Sequence, residues 1–192
     1  MRVSRLCYTV VGLALLGCDG SQQLAPRASA DPRLQRSLIQ EVDDGGSAQG
    51  DGRYDVLGLI VEFSFTAQTK DNGAGNKGEF RVYADEGDGL IVDFEAKVTC
   101  LGLDLVNHRA WVGGKVKENR STDPSLLTAI HEKGDDIWFR VLDDPSGDRS
   151  SFVGFEGAAG FATSAAYCAG KPWPDGNART WPVVAGGIAV QP

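Results

Sequence analysis

The feature that most constrains the fold is a long alternation of apolar and polar residues that leads into a hairpin. The apolar side chains of the first arm recur at every second position: Val92, Phe94, Ala96, Val98 and Cys100. This period of two is typical of a half-buried β-strand and predicts that Cys100 faces the core. The return arm alternates in the same way from Ala110 to Val116, and Asn107 and His108 tolerate the left-handed backbone of a tight turn. The stretch therefore predicts an antiparallel hairpin.

Other runs on both sides of this hairpin predict further strands. Val61–Ala67 and Phe80–Ala84 alternate with the same period, and Ile137–Leu142 carries large apolar residues on both faces. The chain ends in a small apolar run, Val183–Val190, which predicts a terminal strand. Glycine is frequent, at 25 of 192 residues, and this suits many tight turns between short strands.

One helix is expected within this sheet protein. Asp123-Pro124 provides an N-cap and a preset first turn for a short helix over Ser125–Glu132, whereas the small apolar run Phe152–Tyr167 predicts a strand. We therefore expect an all-β fold, an antiparallel sandwich or small barrel of about eight or nine strands with one short helix.

The N-terminus resembles an export signal. Arg2 and Arg5 precede an apolar run that is too short for a stable membrane-spanning helix. Leu15-Leu16-Gly17-Cys18 resembles the lipobox of bacterial lipoproteins, in which Cys18 receives the lipid and becomes the first mature residue. Plain signal cleavage with secretion, or a buried apolar segment, are the alternatives. We expect an extracytoplasmic lipoprotein of the cell envelope, attached to the membrane through the lipid on Cys18.

These observations divide the chain into three parts. Residues 1–17 form the predicted signal peptide, and residues 18–48 are polar and turn-rich, as expected of a lipidated N-terminus and flexible tether. Residues 49–192 form the predicted β domain. Cys7 leaves with the signal and Cys18 is lipidated, so Cys100 and Cys168 are expected to pair in an oxidising compartment; two free buried cysteines are the alternative.

Charge excludes one class of partner. The chain has 19 Lys and Arg against 26 Asp and Glu, and the loss of Arg2 and Arg5 with the signal changes the net charge from −7 to −9. Nucleic acid is therefore not an expected partner, and an anionic membrane surface would be repelled, so any anchoring must come from lipid.

Several short motifs resemble a family of uncharacterised bacterial exported β-rich domains, sometimes labelled post-COAP-1. The matching stretches are Val98-Thr99-Cys100-Leu101, Arg109-Ala110-Trp111-Val112-Gly113-Gly114, Trp138-Phe139-Arg140-Val141-Leu142-Asp143 and Gly187-Ile188-Ala189-Val190. The turn between the first two is longer than in the family pattern and contains Asn107-His108. The resemblance implies a β-rich exported domain over roughly residues 56–190 and no catalytic residue.

Motifs for catalysis, cofactors and metals are sparse. The only histidines are His108 and His131, and no acidic partner is designated for a three-ligand zinc site. The G-x-G-x-x-G match over residues 73–78 is followed by a strand rather than a helix, so we expect a hairpin loop. Calcium within the acidic loop over residues 143–148 is a minor alternative. We assign no catalytic residue, cofactor or metal ligand.

Binding is the better-supported expectation. Trp111 shares a strand face with lysines, and Trp173 and Trp181 lie in a Pro-rich segment, so these three side chains are candidate ligand-binding residues for a glycan or peptide. A structural role in a second core is the alternative for each. The leading hypothesis is a non-catalytic binding or accessory module; the alternatives are a small extracytoplasmic hydrolase with a carboxylate-lined cavity and a structural envelope protein.

Overall fold

The alternating runs form a single antiparallel sheet in the computed structural model, which describes residues 45–69, 75–124, 131–154 and 160–192. Its strands are β1 (Ser47–Val56), β2 (Leu59–Thr69), β3 (Asn76–Gly87), β4 (Leu90–Asp104), β5 (Arg109–Asn119), β6 (Asp136–Leu142), β7 (Arg149–Ser150), β8 (Trp181–Pro182) and β9 (Ala185–Gln191). The strand order is β8-β7-β6-β5-β4-β3-β2-β1-β9, so the chain-terminal strand pairs with the first one. The sheet curls into a half-barrel, which confirms the all-β expectation of eight or nine strands.

The inner face of the curled sheet carries the main core. The predicted alternation is confirmed on β2, β3 and the first part of β4, whose apolar positions are buried together. Phe65 and Phe80 both contact the ring of Phe139, at centroid distances of 5.3 and 5.1 Å. The phenol of Tyr54 is buried and accepts a hydrogen bond from the Val153 amide at 2.9 Å. Burial raises the pKa of Tyr54 far above its ordinary value.

The prediction that Cys100 faces this core is wrong, because β4 contains a bulge. Val98 pairs with Gly114 and Cys100 pairs with Gly113, so Thr99 is an extra residue in the ladder. One extra residue reverses the inward and outward positions that follow it. Leu101 therefore packs against the inner core, and Cys100 lies on the outer face.

A helix covers that outer face. Helix α1 spans Ser164–Gly170, where the sequence predicted a strand up to Tyr167. The Thr163 side chain accepts a hydrogen bond from the Ala166 amide and caps the helix, and alanine-rich sequence has high helix propensity. Residues 125–130 of the other predicted helix lie outside the described residues. A short 3₁₀ turn over Asp175–Asn177 follows α1.

A disulfide links Cys168 of α1 to Cys100 of β4, which confirms the predicted pairing. The two cysteines are 68 residues apart, and closing a loop of that length stabilises the folded chain by about 4 kcal/mol in the chain-entropy model. The helix lies close to the sheet because glycines lie beneath it. A Cβ atom on Gly102 would lie 2.4 Å from the Cys168 carbonyl oxygen.

Hydrogen bonds close the gap between the two ends of the sheet. On the side of β9 away from β1, the Ile188 amide donates to Asp148 Oδ2 at 2.7 Å and the Val190 amide donates to Asp143 Oδ2 at 3.0 Å. The segment after β8 joins the same region, because the Val184 amide donates to the Arg53 carbonyl at 2.9 Å. The carboxylates thus replace a neighbouring strand along β9.

We predict that Gly113→Ala lowers the free energy of unfolding by about 1–3 kcal/mol, the usual cost of overpacking. The added Cβ would lie 2.6 Å from Cys100 Sγ and 2.7 Å from Ser164 Cβ, and the disulfide restrains both neighbours. Gly187→Ala is the matched control, since a Cβ atom on Gly187 would lie 3.7 Å from Asp148 Oδ2, an ordinary contact distance. Urea denaturation measures the free energy of unfolding of both variants. Equal midpoints for the two variants would contradict tight packing of α1 on the sheet.

Candidate functional site

A groove lies on the outer face of β9, β1, β2 and β3. Its volume is about 530 Å³. The lining residues are Gln49, Gly50, Asp51, Ser64, Phe65, Thr66, Glu79, Gly187, Ile188 and Ala189. Two neighbouring depressions of about 350 and 230 Å³ share lining residues with it, so the concavity continues towards Arg53 and Tyr83.

The groove exists because polar positions on β1 lie beside positions with little or no side chain on β9. Gln49 pairs with Ala189, and Asp51 pairs with Gly187. On the other side, Asp51 pairs with Ser64, whose side chain is also short. Small residues on two neighbouring strands leave the space that a larger side chain would fill.

The polar side chains that line this groove do not bond to other described parts of the protein. The side chains of Gln49, Asp51, Ser64, Thr66 and Glu79 form no hydrogen bond or ion pair with another described residue. A ligand can therefore reach donors and acceptors here without displacing a contact within the protein.

The outer face of β3, β4 and β5 shows the opposite arrangement. Asp93 accepts hydrogen bonds from Arg81 and Arg120, at 3.1–3.2 Å. Glu95 pairs with Lys117 at 2.5 Å. Partial burial alone would raise the pKa of Asp93, but hydrogen bonds from Arg120 and Arg81 outweigh it and hold the pKa below its usual value. These charges are satisfied by each other.

The three candidate tryptophans do not form one exposed patch. Trp111 is 2% exposed, and its indole donates to the Pro172 carbonyl at 2.8 Å, so its ring is covered by the protein itself. It contacts Trp173 edge to face, at 5.9 Å between ring centroids. Trp181 stacks on Tyr54 at 6.2 Å. All three rings pack against other aromatic rings of the protein.

The histidines are not part of the groove. His108 lies in the β4–β5 turn with φ of 52°, as the sequence predicted for a left-handed turn residue. His131 is 3% exposed; its Nε2 lies 3.1 Å from the Gly154 carbonyl oxygen and its ring lies 5.0 Å from Phe94. Burial lowers the pKa of His131. Within the described ranges, no three His, Cys, Asp or Glu residues are grouped as metal ligands would be.

The acidic loop between β6 and β7 is part of the fold. Asp143 and Asp148 hold the amides of β9, and Asp144 Oδ1 accepts hydrogen bonds from the amide and hydroxyl of Ser146 at 2.8 and 2.7 Å. Those short hydrogen bonds lower the pKa of Asp144. The carboxylates that suggested calcium are thus used in hydrogen bonds that shape the loop and close the sheet.

Comparison with protein-family models, with curated proteins and with solved structures finds no match to this chain. A membrane-spanning helix is not found in the described part of the chain.

The sequence did not single out the groove residues. The alternation on β2 and β3 does mark Ser64, Thr66 and Glu79 as outward-facing. It does not show that β9 pairs with β1, which brings Gly187 and Ala189 beside Asp51 and Gln49. That pairing joins the last residues of the chain to the first strand, so no local pattern reports it.

We predict that Asp148→Ala destabilises the protein by about 1–3 kcal/mol, because the Ile188 amide loses its half-buried acceptor. Asp51→Ala is the matched control, since the Asp51 side chain accepts no hydrogen bond from a described residue. Urea denaturation measures the stability, and hydrogen exchange at the Ile188 amide measures the local effect. Unchanged exchange at Ile188 would contradict closure by carboxylates.

Proposed function

We propose that this protein is a non-catalytic binding module whose groove on β9, β1, β2 and β3 takes a hydroxyl-rich glycan. The observation that carries the proposal is the set of unused hydrogen-bonding side chains in a groove of about 530 Å³. Carboxylate, amide and hydroxyl groups together supply the donors and acceptors that sugar hydroxyls need.

The charge of the lining favours a neutral ligand. Asp51 and Glu79 line the groove itself, and Glu62 lines both neighbouring depressions. These carboxylates would repel an acidic ligand, whereas they accept hydrogen bonds from neutral hydroxyl groups. A peptide is the other ligand class, and a basic peptide would be favoured by the same charges.

The sequence and the disulfide support a proposal for where this module acts. We propose that Cys18 carries a lipid and that the β domain acts outside the cytoplasm. Export is supported by the disulfide between Cys100 and Cys168, because structural disulfides persist mainly in oxidising compartments. The resemblance to exported β-rich domains supports the same location.

A small hydrolase is the second candidate. Asp51 and Glu79 line the same groove, and paired carboxylates are the catalytic groups of most glycoside hydrolases. The binding proposal is preferred because the groove is lined by a wider set of hydrogen-bonding groups.

We predict that Ser64→Tyr reduces glycan capture at least tenfold. Ser64 lies on the outer face of β2 and lines two of the three connected depressions, so an aromatic side chain there fills the groove, and tyrosine is well tolerated in strands. The measurement is retention of the exported protein in gels that contain single soluble polysaccharides. Gln68→Tyr is the matched control, because Gln68 is exposed on the same strand outside the groove.

Equal retention of both variants with wild type would contradict a site in the groove. The hydrolase would be favoured if wild-type protein releases reducing ends from a polysaccharide that it retains. In that case Asp51→Asn should abolish the release and leave retention unchanged. If the protein captures basic peptides but no polysaccharide, and Ser64→Tyr loses this capture, the groove is the binding site but its ligand is a peptide rather than a glycan.

A second prediction concerns the anchor. Cys18→Ser is expected to move the protein from the detergent phase to the aqueous phase in Triton X-114 partitioning of bacterial extracts, because the thiol that receives the lipid is lost. Cys7→Ser is the matched control, since Cys7 lies within the predicted signal peptide. An unmodified mature N-terminus in mass spectrometry of the wild-type protein would support simple secretion and contradict lipidation.

A further inference from the structure

We infer that Arg109 and Trp173 form a second binding site on this protein, one that takes an anionic oxyacid group, a carboxylate or a phosphate. The site lies on the outer face of β5, beside the segment that follows α1. It is separate from the groove in composition and in charge, and it does not depend on the proposed function of the groove.

The guanidinium of Arg109 is held in place but makes no hydrogen bond to a described residue. Its central carbon lies 4.5 Å from the centre of the Trp173 ring. Its Nε–H is buried and donates to no acceptor among the described residues. An arginine that stacks on an aromatic ring uses the face of the guanidinium and leaves the N–H groups in its plane for acceptors.

The aromatic platform is itself fixed. The Trp173 indole donates to Asn177 Oδ1 at 2.9 Å, and the ring packs edge to face on Trp111. Trp111 is fixed in turn by its hydrogen bond to the Pro172 carbonyl. A ligand therefore meets a guanidinium whose position is set before binding, which lowers the entropy cost of recognition.

Further positive charge lies on the same outer face. Arg140 is 1% exposed, and its guanidinium carbon lies 5.3 Å from the centre of the Trp173 ring. Leu142 pairs with Arg109 on β5 and with Arg149 on β7, so a third arginine, Arg149, lies two strands away from Arg109. Arg149 donates to the Thr180 hydroxyl and carbonyl, at 2.9 and 2.7 Å. Neither Arg109 nor Arg149 forms an ion pair with a described carboxylate.

The neighbouring carboxylates have other partners. Asp104 pairs with Arg109 across the hairpin and accepts hydrogen bonds from the Asn107 amide and side chain, at 3.1 and 2.7 Å. The Asn107 side chain, more than the charge of Arg109, lowers the pKa of Asp104. Asp143 follows Leu142 and accepts from the Val190 amide. A cationic site thus persists in a chain of net charge −7.

This geometry selects the chemistry of the ligand. A guanidinium presents parallel N–H groups that match two oxygens of a carboxylate or phosphate, and such bidentate contacts are among the stronger hydrogen bonds in proteins. A neutral sugar hydroxyl would not compensate the positive charge of the half-buried Arg109 guanidinium. The acidic groove and this cationic site therefore recognise different groups.

The test is a titration of the full exported protein with sodium phosphate and, separately, with sodium acetate, at ionic strength held constant with sodium chloride. The readout is the Arg109 Nε–H resonance in ¹H–¹⁵N NMR spectra, with tryptophan fluorescence as a second signal. We expect a saturable shift of the Arg109 resonance with one of the two anions, and the preferred anion distinguishes phosphate from carboxylate ligands.

Arg109→Gln is expected to weaken the fluorescence response at least tenfold. Arg120→Gln is the matched control, because the Arg120 guanidinium is already paired with Asp93 and Glu118. A linear shift of Arg109 with both anions, or equal weakening in both variants, would show general screening and overturn the proposal. If Arg109→Gln does not fold, the test rests on the wild-type protein alone. An Arg109 resonance that does not shift with either anion would then contradict the proposed site.

Discussion

The fold depends on closing the two ends of a strongly curled sheet. A nine-stranded sheet whose last strand is β9 leaves an unpaired edge on β9, and an exposed edge of this kind invites pairing with other chains. Asp143 and Asp148 accept the amides that point away from β1 on that edge, so the edge is satisfied within the same molecule. Closure also keeps the aromatic core around Phe139 enclosed.

The inner face of the sheet is filled by the core, whereas the outer face differs in composition from one group of strands to the next. On β3, β4 and β5 it carries mutually paired charges centred on Asp93. On β9, β1 and β2 it carries small residues and unused polar groups, which form the groove. On β5 and β6 it is covered by α1, and the disulfide holds that cover in place. The polar groups that a ligand can reach therefore lie on the outer face of the sheet.

The helix that covers this region explains the composition of the stretch Arg109–Gly114. In Ala110-Trp111-Val112-Gly113-Gly114, the alternate residues face the inner core, while Trp111 and Gly113 lie beneath α1. Gly113 leaves room for Cys100 and Ser164, and Gly114 leaves room for Phe80. The residues of this stretch thus pack against the inner core on one face of β5 and against α1 on the other. Its first residue, Arg109, contributes instead to the cationic site beside Trp173.

The sequence by itself determined the fold class, the inner residues of β2, β3 and most of β4, and the pairing of Cys100 with Cys168. These follow from the two-residue period of strands and from the number of available thiols, which are local or countable properties. Only the tertiary structure decided that Cys100 faces outwards, that residues 164–170 are helical and that β9 lies beside β1. A bulge at Thr99 reverses the alternation, tertiary packing selects the helix, and strand pairing joins residues distant in sequence, so none of these leaves a periodic signal in the chain.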